Sequence, residues 1–306
     1  MTFSQGSRSS LTYGVQSDFT TPASSNFTNI PIKTHSLDLT KERLEGADIQ
    51  EDRMPRVDRH GNRSNVGSIE VDLRKGDYDD LIECAMLNPF GSNNEVTIGT
   101  TPQFLTIEDA ANDVAQFRLF TGMTSNTMEM SIAPNQMVPT TFGMIGRNME
   151  QNQTSSAGTV TAASDNKPFD SYNGAIYEGG IGSGDLIESV NSINFTLTNS
   201  FAPTPVIGAD VSPHLEYGRS VITGEIMTYY DNNILIDKFI DEVESSIQVS
   251  VDDPSKTNAY TLLFPRIKYN GASVPVADPQ SRMITLPFVA LFDTVEQTQF
   301  KITRTV

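Results

Sequence analysis

Three histidines, one cysteine and a scatter of carboxylates are the side chains that could do chemistry, and their spacing gives them little to do. His35, His60 and His214 lie far apart, with no HExxH-type spacing for a metal. A single cysteine, Cys84, excludes an intramolecular disulfide and a thiolate-rich zinc site. It falls in a segment with a helical apolar stripe and reads as a small buried side chain. Asp77, Asp79 and Asp80 suggest a cation site, but the glycine and terminal Glu of a calcium loop are missing. They read as the start of a helix, with Asp77 as its N-cap. The run 179–184 (GGIGSG) has the glycines of a phosphate cradle, yet no Lys follows it and no clear βαβ unit surrounds it. It reads as a flexible connection, and Asp252 and Asp253 before Pro254 read as a turn. No catalytic residue, cofactor or metal is expected, and the chain is read as a non-enzyme.

Charge narrows the partners. The 306 residues include 21 Lys plus Arg and 38 Asp plus Glu, a formal net charge of −17. An ordinary nucleic-acid binder would concentrate Lys and Arg to neutralise phosphates, so this balance argues against one. Hydrophobic residues make up 37%, enough for a core. No stretch approaches the ~20 apolar residues of a membrane span. The opening MTFSQGSRSS is polar where a signal peptide would carry an apolar run.

The elements that must position these residues are mostly strands. Leu37 and Leu39 alternate with Ser36, Asp38 and Thr40. Ile69, Val71 and Leu73 alternate with Ser68, Glu70 and Asp72, and Met128, Met130 and Ile132 with Glu129 and Ser131. Period two over such runs predicts half-buried strands with one wet face. Further strands are predicted at 11–15, 116–124, 192–198, 221–230, 260–269, 283–292 and 298–305. Two segments have helical periodicity: 77–87, with Leu81, Ile82, Ala85 and Met86 on one face, and 232–247, with Leu235, Phe239, Ile240, Val243 and Ile247 on one face. The fold class expected is mainly β with few helices, a β-sandwich or partial barrel. Residues 42–65 form a long charged loop with few apolar anchors, and 147–185 a polar stretch with some strand character around Ala175 to Tyr177.

The two halves resemble one another. Ser36 to Thr40 matches Ser192 to Thr196, Gly61 and Gly67 match Gly218 and Gly224, and an amphipathic helix follows in each. Phe120 then matches Phe264, and Thr141-Phe142 matches Pro287-Phe288. The organisation expected is an N-terminal arm (1–30), a first domain (31–146), a connecting segment (147–190) and a second domain (191–306).

At this point the residues carry a family resemblance. TFSQGSRSSLTYGVQSDFTTPA, THSLDLTKERLEG, RHGNRSNVGSIEVDL, FTGMTSNTMEMSIAPNQMVPTTFGMIGRNM and SINFTLTN with YGRSVITGEI together resemble the major tail tube proteins of long-tailed, non-contractile bacteriophages. The resemblance covers most of the chain and lies in the ordered set rather than in one motif. It implies a β-sandwich or partial barrel with a flanking helix in each tube domain. It also implies self-association into rings and stacking of the rings into a tube that conducts the genome from capsid to host. With two tube domains per chain a ring would be a trimer, and otherwise a hexamer. The implied partners are further copies of the chain, a tape measure protein, a tail terminator and a distal tail protein, with genomic DNA passing through without specific binding and no membrane contact. The implied place is the virion tail, assembled in the host cytoplasm. Another ring-forming virion protein (tail terminator, distal tail or capsid decoration protein) is the alternative.

Within that frame the strand faces divide. Leu37, Leu39, Ile69, Val71, Met128, Met130, Ile193, Phe195 and Ile226 are expected inside. Asp38, Glu70, Asp72, Glu129, Asn194 and Glu225 are expected to line the lumen, where carboxylates keep phosphates off the wall. The arm 1–30, the charged loop and the C-terminal strand are expected to reach between rings. In the loop, Glu42, Glu45, Asp48, Glu51 and Asp52 precede Arg53, Arg56, Arg59 and Arg63, a polarity suited to head-to-tail pairing.

Overall fold

The computed structural model of the chain describes residues 3–181, 184–187, 189–276 and 281–305. Half of the chain is strand and 6% is helix, in two helices, the mainly-β fold that period-two alternation dictates. The first half runs β1 (Ser9–Gln16), β2 (Phe27–Ile30), β3 (Thr34–His35), β4 (Asp38–Glu45), β5 (Asp58–Asp72), α1 (Asp79–Met86), β6 (Glu95–Thr97), β7 (Phe104–Ala111), β8 (Gln116–Ile132), β9 (Pro139–Gly146) and β10 (Asn148–Asn152). A short β11 (Val160–Thr161) leads into the second half. There follow β12 (Asp170–Glu178), β13 (Asp185–Leu186), β14 (Val190–Thr198), β15 (Ala202–Thr204), β16 (His214–Glu216), β17 (Val221–Tyr229), α2 (Ile234–Ile240), β18 (Ser245–Asp252), β19 (Ala259–Tyr269), β20 (Met283–Ala290) and β21 (Lys301–Arg304).

One antiparallel sheet passes through both halves in the order β4, β5, β9, β8, β14, β17, β20, with β19 beside β20. Two outer sheets cover it. In the first half the order is β2, β1, β7, β8, β10. In the second it is β13, β12, β18, β19, β21, β6. Strands β8 and β19 each belong to two sheets, which is how sandwich corners are made. The corner in β8 falls at Gly122, whose φ of 63° suits glycine. An added Cβ there would lie 2.8 Å from the Phe19 carbonyl.

The faces follow the alternation. Ile69, Val71, Met128, Met130, Phe142, Ile193, Phe195, Leu197, Ile226, Leu286 and Phe288 are buried in one core that spans both halves. Leu37 joins them and Leu39 is half-buried. Helix α1 buries Leu81, Ile82, Cys84, Ala85 and Met86, at about 1.5–3 kcal/mol for each large apolar side chain. Residues from the second half hold both ends of this helix. Tyr260 Oη donates to Asp79 at 2.5 Å and Arg304 pairs with the same carboxylate. At the other end Asn199 Nδ2 donates to the Ala85 carbonyl at 2.8 Å.

Several boundaries differ from the sequence reading. Strand β8 is one 17-residue strand rather than two, because the switch between sheets bends it without breaking it. Asp77 is not the N-cap of α1. The preceding residue is Tyr78, with no side-chain cap, and Asp77 instead accepts from the Ser164 amide at 2.8 Å. The second helix ends at Ile240 rather than 247. Glu242 has a φ of 55°, and Ile247 is buried in β18, opposite Phe264. Its apolar residue thus fits both periods, and tertiary pairing decides. The stretch read as an arm supplies β1 and β2, with Leu11, Tyr13, Phe27 and Ile30 buried. The stretch read as a connection supplies β10, β11 and β12.

Candidate functional site

The through-sheet has one face on the core and one bare. Residues directly paired across antiparallel strands share a face. Thr141 of β9 lies between Glu70 of β5 and Glu129 of β8, and Glu129 faces Thr196 of β14. One row along, Asn194 faces Ser131 on one side and Glu225 on the other. Asp72 faces Pro139. The chain neighbours Ile69, Val71, Met128, Met130, Ile193, Phe195 and Ile226 are buried, so Glu70, Asp72, Glu129, Asn194 and Glu225 share the bare face. Asp38 stands at its margin, exposed, with its carboxylate 3.9 Å from Arg118 in the outer-sheet part of β8.

Lys33 also meets this face, and nothing in its local pattern singled it out. Its ammonium lies 2.9 Å from Glu70 and 3.5 Å from Asp72. The hydrogen bond from Lys33 holds the Glu70 carboxyl below the usual carboxylate range, and the same bond raises Lys33. Among the described residues neither Glu129 nor Glu225 has an ion-pair partner. The face therefore combines hydroxyls, one partly neutralised cluster of two carboxylates and a lysine, and two carboxylates without an ion pair.

The charged loop of the sequence reading is a hairpin. Strands β4 and β5 continue beyond the sheet with Lys41 opposite Arg63, Leu44 opposite Arg59 and Glu45 opposite Asp58. The Gly46 amide donates to the Val57 carbonyl at 2.9 Å and closes the tip. Folding back brings the acidic and basic halves onto each other. Arg43 reaches Asp58 at 3.0 Å and Glu45 at 3.5 Å, and Arg56 pairs with Asp52. Arg63 pairs with Asp210, and Asn62 Nδ2 donates to Ser212 Oγ at 2.9 Å. These contacts bind the hairpin to a second arm, the β15–β16 hairpin between β14 and β17, which sequence patterning missed because its strands are three residues each. Glu42, Asp48, Glu51, Arg53 and Arg59 have no ion pair among the described residues. Each arm carries bare apolar side chains, Ile49 and Met54 on the first, Val206 and Ile207 on the second.

The through-sheet has two open edges among the described residues. Among the described residues β4 pairs only with β5. Beyond Ile267, where Ser245 is the last partner from β18, β19 pairs only with β20.

The small-site candidates have structural roles. Cys84 is fully buried, and burial pushes its thiol up, away from nucleophilic use. Asp80 accepts from Tyr13 Oη at 2.5 Å, and Asp79 takes Tyr260 and Arg304. His35 lies 3.6 Å from Asp109, His214 packs edge-on to Tyr217, and His60 faces Arg43 in the hairpin. Asp253 accepts from the Thr257 and Asn258 amides, as a turn residue does. Gly182 and Ser183 of the glycine run lie outside the described residues. Among the described residues no group of three or more His, Cys, Asp or Glu could hold a metal ion, and no helix is long and apolar enough to cross a membrane.

The arrangement is therefore one of surfaces: open edges, paired arms and a bare polar face. No curated protein matches the sequence. The family of phage tail tube proteins matches it over residues 6–290, nearly the whole chain. The chain belongs to the phage tail tube protein family and is a structural component of the tail tube.

Proposed function

We propose that three copies of this chain close into a ring, that rings stack into the tail tube, and that the bare sheet face lines the channel through which the genome passes. The observation that carries this reading is the junction between β8 and β14. Ile132 stands opposite Ile193, and the pairing runs on to Thr127 opposite Thr198. The order β4, β5, β9, β8 in the first half has its counterpart in β14, β17, β20, β19 in the second. The two open edges, on β19 and β4, are the counterparts of the two edges joined inside the chain. Joining β19 of one copy to β4 of the next repeats that junction and leaves no edge of the through-sheet unpaired. Two tube domains per chain then give six units from three chains.

The other surfaces fit the same assembly. Glu129 and Glu225 keep phosphates from the wall within the ~8 Å reach of unscreened charge. The two arms, with their bare apolar tips and unpaired charges, supply contacts between rings that are weak singly and add over a polymer. The ends of the tube meet a tail terminator and a distal tail protein, and its interior holds a tape measure protein during assembly. The protein acts in the virion without catalysis. Electron microscopy of the purified chain tests the reading. Long hollow tubes with three chains per ring are expected. Six chains per ring would overturn the two-domain account, and isolated rings that never stack would favour a terminator or distal-tail role.

A further inference from the structure

The two helices occupy corresponding places in the two halves, and only one is covered. All five apolar side chains of α1 are buried, whereas α2 has no buried residue. Ile234, Ile240 and Val243 are 61%, 65% and 47% exposed. The inner side of α2 is anchored. Leu235, Ile236 and Phe239 pack against the core, and Lys238 reaches Glu178 at 2.6 Å. The bare apolar side is thus the outer one.

What covers α1 indicates what covers α2. At its C-terminal end α1 is held by Asn199, which directly follows β14. The counterpart of β14 is β4, and two glycines fix the alignment. A Cβ on Gly67 would lie 2.5 Å from the Ser36 carbonyl oxygen, and a Cβ on Gly224 would lie 2.6 Å from that of Asn194. Ser36 therefore corresponds to Asn194 rather than to Ser192, the match the sequence pattern suggests, and counting along both strands places Lys41 where the other half has Asn199. Lys41 is exposed and has no ion pair among the described residues. Asp241 is the C-terminal cap residue of α2, and the basic residue of its last turn, Lys238, is already tied to Glu178. A lysine is suited to a helix C-terminus, where carbonyls and the macrodipole favour a cation.

We propose that the outer face of α2 (Ile234 and Ile240), together with Val243 just beyond its end, is the seat for a neighbouring copy of this chain, whose β4 edge brings its Lys41 to Asp241 at the end of the helix. This rests on the ring reading and adds to the strand junction a second contact, which buries the apolar face left bare in the single chain. The junction inside the chain has an extra strap that this one lacks, since β6 of the first half adds to β21 of the second and no strand between α2 and β18 does the same. The contact on α2 therefore carries more of the load between copies.

The test uses the full chain. Lys41→Cys and Asp241→Cys in one polypeptide, assembled and oxidised, are expected to give disulfide-linked species that end at trimer on a non-reducing gel, with Cys84 too buried to interfere. In parallel, Ile240→Asp is expected to leave the circular dichroism spectrum and melting temperature near wild type and to cut tube yield at least tenfold. Lys41→Glu alone should reduce assembly, and Lys41→Glu with Asp241→Lys should restore it. If Ile240→Asp forms tubes as wild type does and no cross-link appears, the inference is wrong while the ring reading stands. If the wild-type chain forms no rings, the ring reading itself fails.

Discussion

At the scale of single residues, three positions show how closely the sheets are fitted. Gly224 sits where a Cβ would lie 2.4 Å from the Phe288 ring and 2.6 Å from the Asn194 carbonyl oxygen. Phe288 is buried and the carbonyl is backbone, so neither yields readily. Gly224→Ala is expected to cost about 1–3 kcal/mol, read as a lower urea midpoint. Lys238 is the cation of a buried carboxylate. Glu178 also takes Ser245 Oγ at 2.5 Å and Tyr269 Oη at 3.3 Å. Removing the charge with Lys238→Met leaves Glu178 uncompensated, a loss of about 3 kcal/mol for a buried pair, and loosens α2 against β12; hydrogen exchange in 234–240 that stayed at the wild-type rate would count against this. Asp109 is a pH-linked case. Burial raises its pKa, but His35 and Arg118 outweigh that and leave the carboxyl below its usual range. A depressed folded pKa stabilises fully above the free carboxyl value of about 4 and less as pH falls through the folded value. Asp109→Asn should therefore be less stable at neutral pH and lose less stability than wild type on acidification below about pH 4, compared by urea melts at the two ends of that range.

At the scale of elements, the sequence was legible where one face is wet and illegible where pairing partners decide. Strands β14, β17, β19 and β20 and the inner half of β5 are readable because buried residues such as Ile69, Ile193, Ile226 and Leu286 alternate with wetter neighbours, whereas the outer halves of β4 and β5 fall in the stretch 42–65 that reads as a loop. Strand β7 is not readable, because Phe104, Leu105, Thr106, Ile107 and Glu108 are all buried and show no period. Its Thr106 and Glu108 are satisfied inside, by Gln16 and by Ser155 with Ser156. The start of β18, Ser245 to Ile247, reads as helix because Val243 and Ile247 keep a helical spacing across a turn. Of the candidate surface, the carboxylates of the bare face were readable from the same alternation, but Lys33 and the tie from Arg63 to Asp210 arise from residues distant in sequence. Two predictions belong here. Strand β1 pairs with β7 along its whole length, so deleting residues 1–30 should abolish the folded β spectrum, rather than leave soluble subunits that cannot polymerise. Replacing 47–56 by Asn-Gly keeps the hairpin closed at Gly46 and Val57 and should give folded rings that do not stack, counted by electron microscopy; tubes of normal length would show the tip dispensable.

At the scale of the whole molecule, the charge of the wall can be separated from the charge of the chain. A net charge of −17 does not say where the excess lies, and individual carboxylates differ: Glu70 and Asp72 share Lys33, Glu244 has Arg266 and Glu296 has Lys301. The residues that would meet passing DNA unneutralised are Glu129 and Glu225, on β8 and β17 of the bare face. Both stand between neighbours that hold the sheet, Met128 with Met130 and Gly224 with Ile226, so a change of head group alters the wall without altering the core. Replacing both by Lys converts repulsion into phosphate contact. Each neutralised phosphate releases a counterion, so adhesion should grow as salt falls, with a log–log slope of about −0.9 per contact. Glu129→Lys with Glu225→Lys is therefore expected to assemble tubes normally and to slow genome release, most of all at low ionic strength. Release measured on virions built with this variant, at two salt concentrations, decides the matter. Release at the wild-type rate at both salts would mean that the bare face does not meet DNA, whatever the tube's geometry. Slow release at both salts without a salt dependence would point to an obstruction of the channel rather than to its charge.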